Sequence, residues 1–306
     1  MNAPCAGIPV AGCGVDPYGR TARHIAGRIA IVLTVLLAGV QAVQAQRSRP
    51  AAADQNFENP NVVVTVPRDG YTIAGLVTHL EDAKSFRYGI ALFPGYPGIM
   101  RLREEDGQAK FDLGGNFLVR SRRHWLDAET LVVAVDAPSD QWGSFAQHFR
   151  ETRRYGADVD ALLAAVGRQY GIDDWTFVGT SEGSISAYHA ARMNPKLARR
   201  TILTASVFRP SRNGPGLSAV NWGELSARLF WVHHEDDPCP FTAYRDAQSF
   251  ARNTGAPLLT VRGGGPWRGD VCQAFTAHGF AGIERETVLA MRSWVKTGVV
   301  PPDPGH

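Results

Sequence analysis

From residue 62 onward, short apolar runs alternate with longer stretches of mixed polarity. Val62-Val63-Val64-Thr65-Val66 and residues 72–80 flank the turn-forming Pro67-Arg68-Asp69-Gly70, a pattern that predicts a β-hairpin. Residues 89–93, 130–135, 175–178, 201–205, 229–233 and 257–261 are brief, largely apolar runs of strand length. Helix-length segments lie between and after them. Residues 153–170 carry Tyr155, Val159, Leu162, Leu163 and Val166 along one face, and residues 283–295 carry Val288, Leu289, Met291, Trp294 and Val295. Continuous rather than alternating apolar strands are buried on both sides. The expected architecture is therefore α/β: a mainly parallel sheet with an antiparallel N-terminal hairpin, helices on both faces, and one domain over residues 61–298.

The ends read differently. Arg20, Arg23 and Arg28 precede an apolar run over 29–40, and Val43-Gln44-Ala45 places small residues where a signal peptidase cuts. This predicts a secretory leader over 1–45, with export to the periplasm or beyond. The apolar run, roughly a dozen residues, falls short of the roughly 20 that span a bilayer, so no stable membrane anchor is expected after cleavage. Val40 stands where a lipoprotein leader would place its cysteine after Leu37-Ala38-Gly39. Residues 46–60 are polar and aperiodic, a linker, and the proline-rich 299–306 reads as a disordered tail.

Composition is ordinary for a globular domain, with 44% hydrophobic and 20% charged residues. A net charge of +3 with dispersed arginines gives no reason to expect a nucleic-acid partner. Cys5 and Cys13 would leave with the leader. Cys239 and Cys272 would remain in a compartment that permits disulfides, either bridged or as two separate thiols.

Gly179-Thr180-Ser181-Glu182-Gly183 follows the apolar run 175–178 and leads into a small-residue helical stretch over 184–192. A serine on such a strand-to-helix turn stands exposed at a helix N-terminus, where free N–H groups favour developing negative charge. The nucleophile needs a base and an acid, in the chain order Ser, Asp or Glu, His. Of nine histidines, only His278 and His306 lie beyond the acids near residue 237, and His306 ends the tail, which leaves His278. The run 229–233 leads into Glu235-Asp236-Asp237-Pro238, and Asp237 is the preferred acid, with Asp236 and Glu235 open. His233 and His234 point to opposite faces of a strand, so they are expected to pack or support loops rather than chelate. Two backbone donors are needed for the oxyanion. Glu182 supplies one, and the turn Pro94-Gly95-Tyr96-Pro97-Gly98 supplies the other from Gly95, Tyr96 or Gly98, with Tyr96 preferred.

The segments 179–183, 232–238 and 277–280 together resemble the nucleophile, acid and histidine motifs of the α/β-hydrolase superfamily, over nearly the whole mature chain. Within it, the chain resembles exported bacterial hydrolases that share an Asp-Ala-Pro-Ser-Asp turn, here at 136–140, and paired cysteines beside acid and histidine. The resemblance implies a serine hydrolase with Ser181, Asp237 and His278 as its triad, no cofactor and no metal. It also implies a Cys239–Cys272 disulfide clamping the acid loop to the histidine loop. The Phe-Pro-Gly-Tyr turn departs from the His-Gly of many relatives and leaves the oxyanion donor open. Only about 20 residues separate the runs ending near Ser206 and starting near Leu229, too few for a large cap, so the insert at 99–115 is expected to shape the pocket. Small carboxylic esters are the expected substrates. An amidase or peptidase and a non-catalytic binding protein of the same fold are the alternatives.

Overall fold

The structure, a computed structural model, describes residues 60–305. The leader expected over 1–45, all but the last residue of the linker over 46–60, and His306 lie outside the described residues.

The chain enters through β1 (Asn61–Pro67) and β2 (Thr72–Thr78), then β3 (Tyr88–Phe93) and a small hairpin of β4 (Arg103–Glu105) and β5 (Gln108–Lys110). Helix α1 (Phe117–Ser121) leads to β6 (Thr130–Val135), and α2 (Gln147–Arg150) and α3 (Arg153–Tyr170) lead to β7 (Trp175–Thr180). The remainder is α4 (Glu182–Met193), β8 (Ala198–Thr204), β9 (Leu229–His234), α5 (Tyr244–Thr254), β10 (Leu258–Val261) and α6 (Glu284–Thr297). Eight strands form one sheet in the order β1-β2-β6-β3-β7-β8-β9-β10. The hairpin β1–β2 is antiparallel and β2 joins β6 antiparallel, while every later pairing is parallel. Strands β3, β6, β7 and β9 are buried along their whole length, which is why their sequences show no alternation. The small β4–β5 hairpin lies inside the insert 99–115.

After β3 the chain steps outward to β6, then returns to place β7 on the other side of β3. At such a reversal the loops leaving the two strands diverge to opposite faces and open a crevice at the carboxyl ends. The loops at 94–98 and 181–183 leave β3 and β7 here.

Helix α3 starts at the Thr152 cap, whose hydroxyl accepts from the Tyr155 N–H, and stops at Gly171 with φ 72°. Its apolar face, Val159, Leu162, Leu163 and Val166, packs with Phe177 and Tyr188 on one side of the sheet. Phe117, Met291 and Trp294 of α1 and α6 pack with Leu92, Val132 and Phe230 on the other. Truncating a fully buried leucine such as Leu162 to alanine would cost about 2–5 kcal/mol.

One expectation needs correcting. The tail, read as disordered over 299–306, docks on β10: the Pro304 carbonyl accepts from the Arg262 N–H at 3.1 Å and the Asp303 carboxylate from the Thr260 N–H at 3.0 Å. Asp303 also pairs with Arg262 at 3.1 Å. β10 is the edge of the sheet, and an edge strand offers unpaired N–H groups. Prolines cannot donate, but their carbonyls and a neighbouring carboxylate can accept, so a proline-rich segment can still cover an edge.

Candidate active site

Ser181 joins β7 to α4 with φ 51° and ψ −126°, a conformation whose strain, of order 1–3 kcal/mol, the surroundings must offset. They do so by close backbone approach. A Cβ on Gly183 would collide with the Phe93 carbonyl oxygen, and one on Gly179 with the Gly183 carbonyl oxygen. Gly183 is therefore required where the elbow crosses the end of β3, and Gly179 where β7 lies against the first turn of α4. The Ser181 N–H donates to Thr204 O at 3.1 Å, and the Ser184 hydroxyl donates back to Ser181 O at 2.6 Å, fixing the turn from both sides.

Asp237 follows β9 and His278 lies on a short 3-10 turn before α6. Their side chains are almost wholly buried, and His278 Nδ1 sits 3.1 and 3.3 Å from the two Asp237 oxygens. The carboxylate also accepts from the Cys239 N–H at 2.9 Å and the Thr242 hydroxyl at 2.7 Å. With these acceptors facing Nδ1, the ring proton belongs on Nδ1 and Nε2 is left as an acceptor. Glu235 is directed elsewhere, pairing with Arg262 at 2.8 Å, and Asp236 makes no hydrogen bond to His278 among the described residues, its N–H donating to His234 Nδ1 at 3.1 Å. Cys239 and Cys272 form a disulfide that ties the acid loop to the histidine loop.

Ser181 and His278 line the same cavity of about 260 Å³, with Gly95, Asn116, Phe117 and Phe275. No hydrogen bond joins serine and imidazole among the described residues, a looseness common before a substrate draws the two together. The insert at 99–115 contributes Leu113 and Gly115 to this wall, as its position predicts. A second cavity, about 520 Å³, shares Ser181, Tyr96 and Cys272 and adds Val207, Arg212 and Phe241. The short β8–β9 connection thus borders the site without forming a cap.

The loop 94–98 leaves β3 beside the serine: a Cβ on Gly95 would lie 3.1 Å from Ser181 Cβ. The N–H groups of Tyr96 and Glu182 have no acceptor among the described residues. Gly95 and Tyr96 line the cavity, whereas Gly98 packs against Arg150 and does not. Two buried charges hold this loop. Arg150 donates to Pro97 O and Phe145 O, each at 3.0 Å, and to Ser186 Oγ at 2.7 Å, and it pairs with Glu182 at 3.4 Å. Asp136, at the end of β6, accepts from the Met100, Leu102 and Ala137 N–H groups at 2.6–2.8 Å. Burial pushes its carboxyl up to about 6, against the pull of those N–H groups.

His233 and His234 are not part of the cavity wall. Burial pushes His233 down to about 3, so it stays neutral, and its Nε2 accepts from the Ser206 N–H at 3.2 Å. His234 bonds Gly263 O at 2.8 Å. Both support loops, as their strand position predicts. Among the described residues no three His, Cys, Asp or Glu side chains are placed to share a metal ion. The residues that motif reading missed are Thr242, Arg150, Arg120 and Arg212. Arg120 is buried and donates to Gly115 O at 2.8 Å and Gly279 O at 2.7 Å, linking the pocket insert to the histidine turn. Single arginines carry no spacing signal, so nothing in the sequence separates these from the dispersed surface set.

No family model matches the chain, and no curated protein matches its sequence. Solved structures do match. Est1E from Butyrivibrio proteoclasticus aligns at 12% identity and a TM-score of 0.52, over 76% of this chain and 97% of that one. A fungal esterase from Rhizomucor miehei aligns at 14% identity and a TM-score of 0.54, over 80% of this chain and 86% of that one. The fold is the α/β-hydrolase fold, with the antiparallel N-terminal hairpin and mainly parallel sheet expected from the sequence.

Proposed function

We propose that this chain is a serine hydrolase that cleaves carboxylic esters by acyl transfer through Ser181, His278 and Asp237. The observation that carries the reading is the buried Asp237–His278 pair opening into the cavity that holds Ser181 on its strained elbow. His278 Nε2 takes the Ser181 proton as Oγ attacks the substrate carbonyl. The N–H groups of Glu182 and of Tyr96 receive the oxyanion, and the imidazolium, steadied by Asp237, protonates the departing alkoxide. Water then attacks the acyl-serine with His278 again as base. None of these steps calls for a metal or an organic cofactor.

The Rhizomucor miehei protein of the same fold is described as an esterase, which supports an ester substrate. A fluorophosphonate probe is expected to label Ser181 stoichiometrically, and Ser181→Ala to lose both labelling and esterolysis, by several orders of magnitude in rate. An unlabelled wild-type protein would leave the non-catalytic binding reading standing, and faster turnover of anilides than of matched esters would favour the amidase. Export is part of the proposal. It rests on the basic residues and apolar run ahead of Ala45 and fits a disulfide beside the site, since such bonds persist in oxidising compartments.

A further inference from the structure

Two cavities meet at Ser181, and they differ in charge. The smaller holds His278 and no lysine or arginine among the described residues that line it. The larger holds Arg212, the only lysine or arginine among the described residues lining either cavity. Arg212 differs from its neighbours in another respect. Arg209, three residues earlier, pairs with Asp246 at 2.6 Å, and Arg150 is spent on Glu182 and backbone carbonyls. Arg212 has no ion pair, hydrogen bond or ring contact among the described residues. The acidic group on that wall, Glu182, is already answered: one oxygen faces Arg150 and the other accepts from the Asn213 amide. The larger cavity is thus apolar at Val207 and Phe241, neutralised at Glu182, and left with one uncommitted guanidinium.

Which half of a substrate lies there follows from the mechanism. The general acid must reach the leaving oxygen, so the alcohol departs on the His278 side, through the smaller cavity. The acyl chain then occupies the larger one. Resting on the acyl-transfer reading above, we infer that Arg212 is a specificity residue and that the preferred substrates are esters whose acyl group carries a carboxylate, such as monoesters of dicarboxylic acids. The guanidinium would take that carboxylate through paired N–H donors, and the acyl methylenes would lie against Val207 and Phe241.

The test compares phenyl valerate with monophenyl glutarate, which share alcohol and chain length and differ by the terminal carboxylate. Phenol release is followed, with spontaneous hydrolysis subtracted. Wild type is expected to favour the glutarate about tenfold in kcat/KM, the size of one charge-assisted hydrogen bond, mainly through KM. Arg212→Gln should bring the ratio to about one, Arg212→Lys should restore part of it, and Arg212→Glu should invert it. A third substrate, 3-carboxyphenyl valerate, moves the charge to the alcohol and should gain nothing. A ratio unchanged in Arg212→Gln, or a gain for the carboxyphenyl ester that Arg212→Gln removes, would overturn the acyl-side assignment while leaving esterolysis intact. Failure of every ester, together with an unlabelled Ser181, would instead sink the acyl-transfer reading beneath it.

Discussion

Two walls face each other across Ser181, and they are built by different means. The acid–histidine wall, residues 235–242 and 272–280, is joined by a disulfide and by side chains that answer one another: Thr242 and His278 converge on Asp237. The donor wall, residues 94–102, has no such pairing. It is pinned by buried charges that grip backbone, Arg150 on the Pro97 carbonyl and Asp136 on the Met100 and Leu102 N–H groups. On the proposed mechanism, the difference follows from what each wall presents. A base must be held by its ring, so side chains and the loops bearing them are tied together. An oxyanion donor is a peptide N–H, so the peptide itself is anchored.

The largest way to break the contrast is to remove charge from the first wall without changing its shape. Asp237→Asn keeps the size but offers His278 Nδ1 a carbonyl or an amide instead of a carboxylate, which disturbs both tautomer and imidazolium. On the proposed mechanism, kcat should fall about 10³–10⁴-fold while the melting temperature moves little. A loss below tenfold would mean that Asp237 only packs.

In the second wall the same kind of change should act on folding. Arg150→Met leaves the Pro97 and Phe145 carbonyls without their buried donor and Glu182 with the Asn213 amide alone. A loss of about 3–5 kcal/mol in urea unfolding is expected, larger than for any single change at the surface. Stability unchanged to within 1 kcal/mol, roughly the effect of an exposed pair, would show that the loop holds its place without the charge.

The two walls were also unequally legible in the sequence. Ser181, Asp237 and His278 could be named because chain order and strand ends constrain them, and the structure brings all three to one crevice. Strands β3 and β6 to β10 were legible because buried parallel strands read as unbroken apolar runs, and β1 and β2 because they flank a turn-forming Pro67-Arg68-Asp69-Gly70. The donor wall was not. Arg150 and Asp136 act on backbone groups far along the chain, 53 residues from Arg150 to Pro97 and 36 from Asp136 to Met100, and such contacts leave no periodicity. Asp136 was noticed only as part of a turn shared with similar hydrolases. The docked tail escaped for the same reason, because its acceptors serve an edge strand elsewhere in the chain.

A covalent tie and an electrostatic pin should respond to different reagents. Cys239→Ser or Cys272→Ser opens a loop of 33 residues, for which chain entropy suggests a loss of about 3–4 kcal/mol. Dithiothreitol should reproduce that loss in wild type and leave either serine variant unaffected. If activity falls with it, the clamp positions Asp237 against His278; if only the melting temperature falls, it serves stability alone.

Acid should act on the donor wall through Asp136. Its carboxyl is raised from 3.8 to about 6 in the folded chain, mainly by burial. Below about pH 4 both folded and unfolded chains carry the proton, and Asp136 imposes no penalty. Between pH 4 and 6 the unfolded chain releases the proton first, so unfolding gains ground as pH rises, and above 6 the loss is constant. A rise from 3.8 to about 6 corresponds to about 3 kcal/mol. Asp136→Asn removes the titration, so the stability of wild type relative to this variant should decline by up to that amount from pH 4 to 6.5 in urea unfolding. At pH 7 wild type should still be the more stable of the two, because an asparagine amide turns one donor toward N–H groups that need acceptors. A difference that stays flat with pH would mean that three N–H groups outweigh burial and hold the carboxylate ionised throughout. The donor wall would then be indifferent to acid, and the contrast with its disulfide-tied partner would reduce to sensitivity to reductant alone.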